Sequence, residues 1–148
     1  MSAFWAWALE AYARPGVADA CIELQDRHGQ NVPLVLWVVW AGRHAGGGDL
    51  ERGAALAARW ETAAGALRSV RRSLKSDLPD LPSITRETFR RQVKAVELEG
   101  ERVLMAALED LPSTPETGGS EAERLARVSE AYGARVGPEV FTGLLARL

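Results

Sequence analysis

The chain has 148 residues, with 18 Lys+Arg against 20 Asp+Glu for a formal net charge of −2, and 47% hydrophobic against 26% charged residues. Those proportions belong to an ordinary globular domain. They exclude a disordered tail, a collagen-like fibre and any charge excess that would demand nucleic acid or an acidic membrane as partner. A chain of this length buries roughly 68–70% of its unfolded surface, enough for one domain with its own core.

The single cysteine, Cys21, has no internal disulfide partner, which fits a reducing compartment. The N-terminus lacks a basic region and Glu10 interrupts its apolar stretch, so it does not read as a secretory signal. The longest apolar run, residues 32–42, is about half a bilayer crossing. The expected location is the cytoplasm.

Strand signals are almost absent, and turn residues cut the chain into helix-length pieces. Residues 3–13 carry Phe4, Trp5, Ala8, Leu9 and Tyr12 at helical spacing. Pro15 suits the first turn of a second helix, whose face holds Val17, Ala20, Cys21, Leu24 and His28 and which Gly29 ends. Asn31 reads as an N-cap with Pro33 in the first turn after it. Residues 32–41 are apolar on all sides, which predicts a central buried helix, with a buried strand as the alternative.

Gly46, Gly47 and Gly48 form a flexible break, and Asp49 caps a long helix reaching about residue 76, with Ala57, Trp60, Ala64, Leu67 and Leu74 as its stripe. Residues 77–83, with two prolines, form a turn. Thr85 is the next expected N-cap, with Ile84 and Phe89 as a hydrophobic staple. That helix runs to about residue 110 through Phe89, Val93, Val96, Gly100, Val103 and Leu108. The two long helices, about 50–76 and 86–110, predict an antiparallel hairpin. Residues 112–119 read as a mobile loop, and Ser120 with Glu123 as a capping box before Leu125, Val128 and Tyr132. Residues 140–148 make a last short amphipathic piece. The predicted fold is one all-α bundle over residues 1–148, of five to seven helices, with no internal repeat.

Charge is unevenly placed. Residues 59–94 hold nine basic and four acidic residues for +5, and residues 95–148 hold five and ten for −5. Two basic runs account for the first figure: Arg68, Arg71, Arg72 and Lys75, then Arg86, Arg90, Arg91 and Lys94. They could bind nucleic acid or an acidic protein. With no helix-turn-helix signature and a pI near 5.7, a solvated or internally paired face is the plainer reading. Arg71 falls at the margin of the apolar stripe, so a partly buried guanidinium there needs a carboxylate. Arg68 or Arg71 is expected to pair with Glu97, Glu23 or Asp26, leaving Arg72, Lys75 and Arg91 exposed.

Chemistry-bearing groups are sparse. Cys21 and His28 lie two helical turns apart, about 10 Å, too far for a nucleophile–base hydrogen bond. Glu23, Asp26, His28, His44 and Asp49 lack the spacing of metal ligands. Arg43 and the three glycines lack the context of a phosphate loop. Trp37 and Trp40 are neighbours at i, i+3 and could line a ligand pocket, although such residues are more often core.

Three ordered stretches carry a resemblance. The first joins Phe4-Trp5, the run from Tyr12 through Arg14-Pro15-Gly16 to Val17, and the run from Ala20 to Gly29, and continues through Val32, Leu34, Leu36, Trp37 and Trp40. The second contains Leu67-Arg68, Arg71-Arg72 and Leu74-Lys75. The third contains Arg90, Val93-Lys94, Glu97-Leu98-Glu99 and Glu101-Arg102. Together, over roughly residues 4–105, they resemble a family of small proteobacterial proteins described only as a domain of unknown function. The resemblance implies a compact helical fold and no activity. Pro33 stands where that pattern has Asn.

With no catalytic constellation and no cofactor motif, the expected function is protein–protein contact with an unidentified partner, self-association included. The alternative is a module for a small apolar or anionic ligand using the tryptophans with Arg68, Arg71 and Arg72, and with Gln25 and Asp26 as further binding candidates. A third class, an enzyme acting through Gln25, Asp26 and His28, has the least support.

Overall fold

The computed structural model describes residues 2–46, 48–112, 114–116 and 118–148, leaving the Arg43 side chain aside. Among them are eight α-helices and two 3-10 turns, with no strand. Three helices come first: α1 (Ala3–Tyr12), α2 (Val17–His28) and α3 (Val32–Ala41). After a 3-10 turn at Gly42–His44 come α4 (Asp49–Ala64), α5 (Ala66–Ser73), α6 (Ser83–Glu109) and α7 (Glu121–Tyr132). A 3-10 turn at Pro138–Phe141 leads into α8 (Thr142–Leu145).

The middle of the molecule is α3. The Asn31 side chain accepts from the Leu34 amide at 2.9 Å, and Pro33 costs no hydrogen bond in the first turn. Every residue from Val32 to Val38 is buried. No β-partner is present among the described residues; instead α1, α2, α4, α6 and α7 all pack on α3. A helix without a polar face needs that many neighbours. Phe4 and Ala8 of α1, Leu50, Ala54 and Ala57 of α4, Leu104 and Leu108 of α6, and Leu125 and Val128 of α7 fill the same core. Phe141 and Leu144 close it from the C-terminal segment.

Several ends are fixed by polar groups. The Glu109 carboxylate of α6 accepts from the Ala3 and Phe4 amides at 3.1 and 3.3 Å, placing a negative charge at the α1 N-terminus. Ser120 and Glu123 form the reciprocal capping box of α7. Asp49 is fully buried and accepts from the Gly46 and Thr114 amides at 3.3 and 2.6 Å while pairing with Arg52. Burial raises its pKa and these donors more than reverse that, so it sits below the usual carboxylate range. Arg124 is also buried and donates to the Ala45 carbonyl, and Arg127 grips Glu116 with two bonds of 3.0 and 3.1 Å. Residues 114 and 116 are thus tied to the body; the rest of the expected mobile loop includes Ser113 and Thr117, which lie outside the described residues, as does Gly47.

Four local details depart from expectation. Pro15 lies before α2, because Gly16 turns the chain with φ 80° and serves as the N-cap. Gly48, not Asp49, occupies the N-cap position of α4, and Asp49 reaches back from the first helical position. The long helix divides at Gly65: its backbone stays helical, but Glu61 folds over it to reach Arg68 at 3.0 Å. A Cβ at position 65 would meet Glu61 Oε1 at 2.6 Å. Finally α6 starts at Ser83 after Pro82, and Ile84 and Phe89 are both exposed, so no staple forms. Among the described residues nothing covers Ile84 at the tip of the α5–α6 hairpin.

One packing constraint is checkable directly. A Cβ on Gly53 would lie 2.4 Å from Trp37 Cζ3 in the core. Alanine ordinarily improves a helix interior by about 1 kcal/mol over glycine. Here overpacking of about 1–3 kcal/mol should dominate, so Gly53→Ala should lower the urea midpoint. A raised midpoint would mean that Trp37 moves aside freely.

Candidate functional site

Along one side of α6 the folded chain leaves a trough that α1, α2 and α3 wall but do not fill. It consists of two adjoining depressions. One, of about 180 Å³, is lined by apolar side chains including Trp5, Leu9, Leu36 and Met105. The other, of about 560 Å³, continues past Cys21 and Ile22 to Arg71, Arg91 and Lys94. Tyr12, Gln25, Val32, Leu98 and Glu101 border both. Leu9, Ile22 and Leu98 are each about half exposed on its lips. The larger depression lies within the 300–1,000 Å³ range usual for small-molecule sites.

The floor carries three groups whose charged forms are disfavoured. Burial raises the Tyr12 phenol well above its ordinary range; Cys21 and Glu101 add to that, and the Tyr12 O–H donates to Cys21 Sγ. The same burial pushes the Cys21 thiol up to about 11, against the opposing effect of that hydrogen bond. The sulfur is therefore a thiol at neutral pH and a poor nucleophile. Glu101 is raised by burial and by Glu97, against the opposing pull of Arg68 and Arg71. At the mouth the balance reverses. Arg91 donates to Thr88 of its own helix at 3.4 Å and helps lower the Glu87 carboxyl, and neither Arg91 nor Lys94 enters an ion pair among the described residues.

The residues singled out from the sequence separate into different places. Gln25 lines the trough. Asp26 faces outward and meets Arg72 at 2.5 Å, both about half exposed. Arg71 Nε lies 2.5 Å from Glu97 Oε2, with side chains only 17% and 14% exposed. Arg68 bridges Glu61 at 3.0 Å and Glu97 at 3.7 Å beside a crevice of about 30 Å³, room for little more than a water. Each arginine of the first basic run named as a binding candidate is thus engaged by a carboxylate, and only Arg71 also borders the trough. Lys75 and Arg91 are exposed, as is Arg72 despite its partner.

Trp37 is buried against Gly53 and Trp40 stacks on Phe4 with ring centroids 5.1 Å apart; neither borders the trough. The tryptophan that does is Trp5, on which the Arg102 guanidinium lies 5.4 Å from the ring centroid. Sequence reasoning passed over Trp5, Leu98 and Glu101 as site residues. The signal was there: Leu9 and Tyr12 on α1 and Leu98 and Glu101 on α6 sit three apart, on faces that the core does not use. His28 borders a separate depression of about 490 Å³ among Asp19, Glu23 and Glu139, so Gln25, Asp26 and His28 do not converge. Among the described residues no group of His, Cys, Asp and Glu is arranged to hold a metal ion, and no helix is long and apolar enough to cross a membrane.

The family described as protein of unknown function DUF2390 matches residues 3–108. No curated protein and no solved structure matches the chain. The matched span contains every residue named above along the trough. It leaves out α7 and α8, whose Leu125, Val128 and Leu144 complete the core.

The two kinds of basic residue predict different stabilities. The Arg71–Glu97 pair lies between a fully buried pair, about 3–5 kcal/mol when one partner is removed, and an exposed one at about 0–1. Arg71→Ala should cost about 2 kcal/mol in chemical denaturation, and Lys75→Ala should be neutral. Equal effects would mean that the Glu97 pair adds nothing to folding.

Proposed function

The chain belongs to the DUF2390 family of proteins of unknown function, and from that premise we propose that it is a binding module for an amphipathic organic anion. The ligand's apolar body lies in the trough between α6 and α1–α3, with its anionic head at Arg91 and Lys94. One observation carries this reading: an open apolar trough that ends at two cations, Arg91 and Lys94, that enter no ion pair among the described residues. Apolar contact supplies affinity roughly in proportion to the area covered. A charge-assisted contact fixes orientation at one end. Tyr12 and Gln25 offer neutral hydrogen-bonding groups along the floor, burial disfavours the charged form of Glu101, and the Glu97 carboxylate beside it is engaged by Arg71.

Contact with another protein is the second reading. The half-exposed Leu9, Ile22 and Leu98 on the lips of the same trough favour it, since an apolar helix face fits such an opening.

A titration separates the two. Trp5 lines the apolar end, so its fluorescence reports occupancy. A long-chain alkyl carboxylate should give a saturable shift that disappears in Trp5→Phe. Replacing both Arg91 and Lys94 with Ala should weaken it about tenfold, equivalent to about 1.4 kcal/mol. The neutral alcohol of the same chain should bind wild type and double variant alike. No saturable shift with either compound would refute ligand binding here. If Ile22→Glu then also lost a co-purifying protein, the second reading would stand.

A further inference from the structure

The trough is not apolar along its whole length. Tyr12 on α1, Gln25 on α2 and Glu101 on α6 each border both depressions, so three polar side chains from three helices meet at the junction. A few convergent polar groups in an apolar cleft are what fix the identity and orientation of a small ligand.

Glu101 is the group at this junction that folding leaves without a partner. It is half-buried, yet its carboxyl enters no hydrogen bond or ion pair among the described residues. Arg68 and Arg71 are near enough to favour its charged form, but their hydrogen bonds go to Glu61 and Glu97. With Glu97 included, two carboxyl groups stand against two guanidinium groups, so the junction does not call for a cation. The Tyr12 O–H is given to Cys21, which leaves its oxygen as an acceptor, and Gln25 gives an amide N–H to Asp26 at 3.5 Å. A hydroxyl, which both donates and accepts, matches this set. A plain methylene chain matches none of it, and covering the carboxyl with one removes its water without supplying a partner.

Spacing along α6 places the group on the ligand. Lys94 and Glu101 lie seven residues apart, two turns along one face, which is about 10 Å of rise. C–C bonds of about 1.5 Å, set zig-zag, cover that distance in about eight bonds. Met105, at the apolar end, lies about 6 Å beyond Glu101, enough for about four further carbons.

We propose that the ligand of the trough carries a hydroxyl about eight to ten bonds from its anionic head, and that Glu101, with Tyr12 and Gln25, binds that hydroxyl. This rests on the reading of the trough as an anion-binding module and narrows its ligand to long-chain acids oxygenated in mid-chain. A site built to hydrogen-bond a hydroxyl rejects the analogue lacking it, because its own polar groups are then left unpaired.

Isothermal titration calorimetry of the full chain with tetradecanoate, 3-hydroxytetradecanoate and 10-hydroxytetradecanoate tests it. The 10-hydroxy acid should bind about tenfold tighter than either of the others. Glu101→Leu should erase that preference, weakening the 10-hydroxy acid and tightening tetradecanoate. Glu101→Gln, whose amide still bonds a hydroxyl, should keep most of it. Equal affinity of wild type for all three acids would overturn the hydroxyl assignment while leaving the trough an anion site. Tightest binding of the 3-hydroxy acid would put the polar group at the head and overturn the spacing. A preference that survives Glu101→Leu would overturn the role of Glu101. If none of the three binds, the reading of the trough falls and this assignment with it. Should Glu101→Leu not fold, the ranking of the three acids on wild type and on Glu101→Gln still decides.

Discussion

A ten-residue helix with no polar side governs how the rest of this chain is arranged. Helix α3 is about 15 Å long and buries every residue from Val32 to Val38. An element like that is stable only if apolar faces surround it, and α1, α2, α4, α6 and α7 do so. Burying a large aliphatic or aromatic side chain contributes roughly 1.5–3 kcal/mol, so these seven residues anchor much of the favourable folding term. Covering α3 also fixes which faces of the neighbours turn inward, and hence which are left outside.

Length mismatch then leaves surfaces uncovered. Helix α6 has 27 residues and spans about 40 Å, far more than α3 can use. Three of its four buried residues, Leu104, Met105 and Leu108, fall in its last turns. Its first half packs on α5, where Leu74 at the end of α5 and Val93 are buried and polar contacts add to them: Arg71 to Glu97, Arg86 to the Leu74 carbonyl at 2.5 Å, Arg86 to Asp77 at 3.1 Å. Where α1 and α2 lean against α6 without filling the space, the trough remains. On the far side, Phe89, Val96 and Val103 remain uncovered.

Local chemistry was the part most legible in the sequence. Asn31 before an all-apolar run, Ser120 three residues before Glu123, and Gly29 after a helical stripe each have a cause within one turn of chain, and each occurs where its pattern indicates. Matters depending on which of two apolar faces wins were not legible. Phe89, Val93, Val96 and Val103 read as one stripe, but only Val93 is buried, because α5 and the body take a face rotated from it. Trp37 and Trp40 looked as suited to a pocket as Trp5; the difference is that Gly53 and Phe4 offer them partners inside. Periodicity also gave no warning of the division at Gly65, where the Arg68 amide bonds to the Gly65 carbonyl three residues before it, at 3.2 Å.

The division between a core built on α3 and a hairpin that shares little of that core is the claim on which the trough depends. Native-state hydrogen exchange reads it residue by residue, because amides in locally opening segments exchange with less than the global unfolding free energy. Amides of α3 and of α6 beyond Gly100 should exchange only by global unfolding. Those of α5 and of α6 before Val93 should exchange through a smaller local opening, made smaller still by Arg71→Ala. Uniform protection along the whole of α6 would contradict the account.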